Sequence, residues 1–146
     1  MPEEMGAMYV WESSHVRMKE SPQTWFARAK TSSKENTEAL AGVHADWVMI
    51  PVDEASGVEE PIFETMEGAL TSGNILVFLI SNGTRTEGYF YDSHNNDKHN
   101  FQYLHFLSQE SPVVAKGYCE DIEEKHGKDS DEYRIRTGFG TGFPKE

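Results

Sequence analysis

The stretch Trp47-Val48-Met49-Ile50-Pro51-Val52-Asp53-Glu54 decides the fold class. Its apolar part has no polar alternation, and it ends in two acids. A run of this kind is what a strand buried on both faces requires, as in a parallel sheet. Pro51 has no N–H to give to a ladder, so it is expected at the strand end or at a bulge. The pattern returns at Ile75-Leu76-Val77-Phe78-Leu79-Ile80, again predicted as a fully buried strand, and here the polar residues that follow are Ser81-Asn82-Gly83-Thr84-Arg85. Between the two runs, Pro61 suits the first turn of a helix, with Glu59 and Glu60 placed well for its dipole. Ile62, Phe63, Met66, Ala69 and Leu70 recur at helical spacing and make one apolar face, and Ser72-Gly73-Asn74 ends the helix. Strand, helix, strand in this order predicts that Val48 to Val52 and Leu76 to Ile80 are adjacent parallel strands of an α/β sheet. Ligands of such sheets bind at the carboxyl ends of the strands. Asp53, Glu54 and Asn82 are therefore expected together at one sheet edge.

Toward the N-terminus, residues 1–22 are polar with scattered aromatics and read as a segment of their own, closed by Pro22; residues 23–146 form the main domain. Trp25 to Ala29 is expected as a short strand, Thr31 to Asn36 as a loop, and Glu38 to Val43 as one helical turn ended at Gly42. Toward the C-terminus, Ser81 to Gly88 is a polar turn, followed by the aromatic Tyr89-Phe90-Tyr91 and a loop from Asp92 to Asn100. Phe101 to Leu107 is expected as a mostly buried strand. Ser111 as N-cap and Pro112 at the first position open a predicted helix with Val114, Tyr118 and Ile122 on one face, stopped by Gly127. Tyr133, Ile135 and Thr137 alternate as a last strand, and the tail from Gly138 is rich in glycine.

The 146 residues suit one domain, and 37% hydrophobic with 12% aromatic residues suffices for a packed interior, which excludes global disorder. No apolar run approaches the ~20 residues of a membrane span. Met1 to Met8 has no apolar core of a secretory signal. The one cysteine, Cys119, has no internal disulfide partner and is expected as a small buried residue in a reducing, cytoplasmic setting. The formal net charge of −12 argues against a large DNA-binding surface, because phosphate recognition needs clustered Lys and Arg. The acidic surface is read as solubility.

Taken alone, Asp53-Glu54 is a strand running into an acidic turn, and Ser81 to Arg85 is a turn with good turn residues, Asn-Gly especially. Their order and wording together say more. Glu38 to Asp46, then Val52-Asp53-Glu54-Ala55-Ser56-Gly57-Val58, resembles the Walker B region of tailed-bacteriophage terminase large subunits. So do Glu67-Gly68-Ala69-Leu70-Thr71, Leu79 to Gly88 with Tyr89-Phe90-Tyr91-Asp92, and Tyr118 through Gly127-Lys128-Asp129-Ser130 into Tyr133-Arg134-Ile135-Arg136. The resemblance spans roughly residues 25 to 144 and lies in the combination. It implies the later half of an ATPase domain that couples ATP hydrolysis to viral DNA packaging. The fold implied is a partial P-loop NTPase of the ASCE type: a parallel sheet with flanking helices, without the Walker A strand-loop-helix. Asp53 would hold Mg²⁺, Glu54 would be the catalytic glutamate that polarises the attacking water, and Ser81, Asn82, Thr84 and Arg85 would form the coupling motif. ATP and Mg²⁺ are the implied cofactors. Double-stranded DNA, the portal protein and the small terminase subunit are the implied partners, in the cytoplasm of a bacterial host. The family's nuclease domain would begin after Phe143-Pro144.

Three departures stand out. Pro51 interrupts the aliphatic strand, Gly83 stands where the family usually has proline, and no G-x-x-x-x-G-K-[ST] occurs anywhere in the chain. Without that loop the triphosphate lacks its cradle of backbone amides and lysine. The isolated chain is thus expected to be a poor ATPase and prone to self-association. A second expectation, from a different class, is an acidic, catalytically inactive module that keeps part of the fold and binds a basic protein. Other constellations are weaker. His94, His99 and His105 with Asp92 and Asp97 match no structural zinc spacing, and Gly138, Gly140 and Gly142 have the wrong spacing for a dinucleotide loop.

Overall fold

The computed structural model describes residues 3–31, 45–69 and 74–145. The helical turn expected at Glu38 to Val43, most of the Thr31 to Asn36 loop, and Leu70 to Gly73 lie outside the described residues.

The chain opens with a short helix α1 (Glu3–Met8) and a three-stranded antiparallel meander. Strands β1 (Tyr9–Trp11), β2 (His15–Met18) and β3 (Phe26–Arg28) follow one another, with Trp11 opposite Val16 and Arg17 opposite Phe26. The first hairpin closes through the Glu12 N–H donating to the His15 carbonyl at 2.8 Å. The strand expected around Trp25 to Ala29 is β3; the two strands before it come from a stretch whose polar residues gave no alternation to read.

The second unit is a β-α-β element. Strand β4 (Trp47–Asp53), helix α2 (Glu60–Ala69) and strand β5 (Asn74–Ile80) follow in order, and β4 and β5 pair in parallel from Trp47↔Asn74 to Asp53↔Ile80. The architecture is α/β, with the parallel neighbours that the order of elements predicts. Helix α2 inserts Ile62, Phe63 and Met66, all buried. Phe63 and Met66 join Ala55, Phe90 and Phe143 in the core cluster, and Ile50, Val52, Val77 and Leu79 pack on it from the strands.

The two strands are not buried on both faces. Exposure alternates along both: Ile50, Val52, Val77 and Leu79 face the core, whereas Trp47 is 79%, Met49 64% and Leu76 51% exposed, with Phe78 and Ile80 beside them. An unbroken apolar run does encode two apolar faces, but here the helices cover only one, and among the described residues nothing packs on the other. Pro51 lies neither at an end nor at a bulge. It pairs with Phe78 within β4, whose other edge meets no strand among the described residues, so its missing N–H breaks no ladder there.

Four further expectations in the C-terminal half are overturned. Tyr89 begins a helix, α3 (Tyr89–His94), which takes in the start of the expected Asp92 to Asn100 loop. Phe101 to Leu107 forms no strand. It lacks a ladder partner and is pinned by side chains instead: His105 Nε2 lies 2.7 Å from the Gly138 carbonyl, and the Ser108 hydroxyl donates to the Arg136 carbonyl at 3.0 Å. The helix expected from Pro112 begins later, as α4 (Tyr118–His126), after Gly117 in the left-handed region at φ 86°. Val113 is 90% exposed, so no core contact holds an earlier turn. Tyr133 to Thr137, expected as a strand, is part of α5 (Asp131–Thr137). Ser130 caps it by accepting from the Tyr133 N–H at 3.1 Å, acids fill its first turn, and Gly138 closes it in the left-handed conformation. These end signals outweigh a three-position alternation.

Candidate functional site

Because β4 and β5 run parallel and pair Asp53 with Ile80, the residues that follow them leave the sheet side by side. Asp53-Glu54 and Ser81-Asn82 thus share one carboxyl edge, the place where open α/β sheets bind ligands.

The turn after β4 is shaped by what must be buried. Val52 faces the core, Asp53 points to the open face, and Ala55 must return to the core, where it is 1% exposed. Glu54 makes the reversal with φ 51° and ψ 40°, the only non-glycine residue with positive φ among the described residues. A left-handed glutamate costs roughly 1–3 kcal/mol, and it persists only where its surroundings over-determine it. Here they do. Asp53 Oδ1 accepts the Glu54 N–H at 3.0 Å, and Ala55 starts a 3-10 turn (Ala55–Gly57) locked into the core. Both carboxylates are exposed.

The loop after β5 is tied to this turn by Ser56. The Ser56 N–H donates to Ser81 Oγ at 3.1 Å, and Ser81 Oγ in turn donates to the Asn82 carbonyl at 2.9 Å. Ser56 Oγ accepts from the Thr84 N–H at 3.1 Å and shares a hydrogen bond with Thr84 Oγ1 at 2.9 Å. Ser56 itself is 6% exposed. Of the expected site residues, Ser81 and Thr84 are thus joined to the acid-bearing turn. Asn82 stands exposed at the same edge, and so does Arg85, which lines a neighbouring cleft of about 290 Å³. Glu59, Glu60 and Glu87 also line that cleft, so it is no cradle for a triphosphate.

Gly83 fits the loop beneath the C-terminal tail. The tail turns at Gly138, Gly140 and Gly142, all with positive φ, and delivers Phe143 into the core against Phe90, Tyr91 and His94. Tyr89 starts the helix beside the cleft. Its N–H donates to Glu60 Oε2 at 3.1 Å, and its ring stacks on Phe63 with centroids 4.3 Å apart. Burial, the hydrogen bond to Glu67 and the charges of Glu67, Asp97 and Glu60 push the phenol up to about 12. Cys119 is buried on α4, and burial raises its thiol pKa. His94 and His105 serve packing and backbone contacts, and His99 is exposed. His94 lies against Phe90 and Phe143, and among the described residues no three His, Cys, Asp or Glu side chains gather to hold a metal. No helix among the described residues is long and apolar enough to cross a membrane.

Ser56 is the residue to which the sequence assigned no role. A serine before glycine reads as turn chemistry, and only its burial against the second loop distinguishes it.

No protein-family model matches the chain, and no solved structure matches it. Among curated proteins it is 39% identical, over 120 residues, to a probable terminase, large subunit, of Enterobacteria phage P7, a match covering 77% of this chain. The chain spans about a quarter of that relative's length, 24%. Over most of its own length, then, this chain is similar to one part of a probable phage terminase large subunit.

Proposed function

We propose that this chain is the Walker B and coupling-motif part of a phage terminase large subunit, with the partial P-loop NTPase fold that such a part implies. The observation that carries this reading is the parallel pair β4–β5, whose register brings Asp53-Glu54 and Ser81 to Arg85 to one edge. The 39% identity to a probable terminase large subunit supports it independently.

Asp53 is the residue that would hold Mg²⁺. The chemistry of its position fits: an exposed carboxylate at a strand end, with one oxygen engaged by the Glu54 N–H. Magnesium is bound through one or two carboxylates, with waters and substrate phosphates completing its shell. When bound, it would neutralise charge on the phosphates. Glu54, held left-handed and exposed, would orient and polarise the attacking water. Asn82 would contact the terminal phosphate or that water, and Thr84 and Arg85 would carry the nucleotide state outward. Nothing in the sequence supplies the amides and lysine of a phosphate loop, so affinity for the triphosphate must come from another segment or chain. In the assembled motor the partners are double-stranded DNA, the portal protein and the small subunit, within the host cytoplasm. With a net charge of −12, this chain offers DNA no basic groove of its own.

Two ATPase measurements test the reading. The purified chain should turn over ATP poorly or not at all, since losing even one stabilising donor costs ~10²–10³ in rate. Fused behind a terminase segment that carries a phosphate loop, it should gain magnesium-dependent turnover that Glu54→Ala abolishes. A fusion that folds and binds ATP, yet turns over equally with and without Glu54, would overturn the assignment.

A further inference from the structure

We infer that Ser56 is a positioning residue: it clamps the acid-bearing turn after β4 to the 81–84 loop, so that the two strand-end loops move as one unit. The inference rests on the reading above only in naming these loops as the working parts; the clamp itself stands on the geometry.

Three hydrogen bonds cross between the loops, and every one of them uses Ser56. The backbone N–H reaches Ser81, and the hydroxyl reaches both the N–H and the hydroxyl of Thr84. A serine hydroxyl has one proton and two lone pairs. The Thr84 N–H takes one lone pair, and the hydroxyl-to-hydroxyl bond takes the proton or the other lone pair. The Ser81 hydroxyl is similarly engaged on both sides, accepting from Ser56 and donating to Asn82. Ser56 is buried at 6% exposure, so little water is at hand to replace a lost partner. The residue two positions earlier is the left-handed Glu54, and its conformation is held by the anchoring of Ala55 and Ser56. A shift of Thr84 or Ser81 therefore pulls on Ser56 and, through it, on the backbone that aims Glu54. A two-loop clamp of this kind gives a coupling loop a physical route to the acid pair.

The test is amide hydrogen exchange on the full chain and its Ser56→Ala variant, with the Glu54 backbone coupling and Cα shift as a second readout. Loss of the hydroxyl should speed exchange at Thr84 at least tenfold and should alter the Glu54 signals, while the α2 amides of Phe63 and Met66 keep their wild-type rates. If Ser56→Ala does not fold, Thr84→Val removes the hydroxyl-to-hydroxyl bond alone from an exposed position, leaving the Thr84 N–H on Ser56. It should speed exchange at Thr84 by a smaller factor and still alter the Glu54 signals, with Thr84→Ser expected to restore wild-type behaviour. Unchanged exchange at residues 81–85, or unchanged Glu54 signals in a folded variant, would overturn the clamp. So would Thr84→Ser behaving like Thr84→Val. None of these readouts depends on ATP turnover, so failure of the ATPase reading leaves the result standing, and failure of the clamp leaves the ATPase reading standing.

Discussion

Phe143 occupies the space that a Cβ on Gly83 would need: such an atom would lie 2.4 Å from Phe143 Cδ1 and 2.7 Å from the Gly142 carbonyl oxygen. Glycine at this position is thus matched to a tail that lies directly over it. The tail glycines that let the backbone turn, and the aromatic that ends the turn, explain why a side chain is excluded there.

Gly83→Ala should accordingly destabilise the chain by about 1–3 kcal/mol, the usual cost of overpacking a closed site. Because one of the two obstacles is backbone, moving the ring alone does not relieve it. Phe143→Leu in the Gly83→Ala background should therefore recover only part of the loss. Urea unfolding of the four variants in a cycle measures this, and a Gly83→Ala midpoint equal to wild type would show that the tail yields freely.

The two faces of the β4–β5 pair should respond differently to truncation. Leu79 packs on the core, while Leu76 is half exposed on the open face. Leu79→Ala should cost roughly 2–3 kcal/mol and Leu76→Ala under about 1 kcal/mol, because a cavity forms only where neighbours surround the lost atoms. Equal costs in denaturant midpoints would mean that Leu76 is covered in solution.

What the sequence made legible was the part in which long apolar runs and helical spacing agree. Residues 47–53, 60–69 and 74–80 come out as strand, helix and strand, and parallel pairing then brings Asp53 beside Ile80. Burial was less legible. Apolar Trp47, Met49, Leu76, Phe78 and Ile80 announce a second covered face, but a sequence cannot say whether the covering element is present. Tyr133, Ile135 and Thr137 failed for another reason. Three alternating positions fit a strand and a short helix alike, and the decision lay in Ser130 and Gly138 at the ends. Ser56 was illegible as a junction, because its partners Ser81 and Thr84 lie 25 and 28 residues away.

Ser130 offers a direct check on that helix. Its hydroxyl accepts the Tyr133 N–H and donates to the Gly127 carbonyl at 2.7 Å, joining the end of α4 to the start of α5. Ser130→Ala should cost about 1 kcal/mol of stability, as N-cap losses do, whereas Ser130→Asp should retain most of it. Thermal unfolding of the two variants separates them, and an alanine variant as stable as wild type would argue against the cap.

Tyr89 makes stability depend on alkaline pH. Its phenol is raised from 10.0 to about 12, first by burial and then by Glu67 and the neighbouring carboxylates. A raised phenol pKa means that the fold favours the neutral form. The contribution is fully present below the unfolded pKa near 10 and is lost as pH rises through the folded value near 12. Tyr89→Phe keeps the ring that stacks on Phe63 and removes the titrating proton. Between pH 9 and 12, wild type should therefore lose stability faster than Tyr89→Phe, with the two curves parallel at lower pH. Glu67→Gln should reduce the difference without abolishing it, because burial is the leading cause. Urea midpoints across this range, with the phenolate absorbance followed in parallel, measure both effects. Curves that stay parallel to pH 12 would show that the Tyr89 hydroxyl titrates as it does in the unfolded chain.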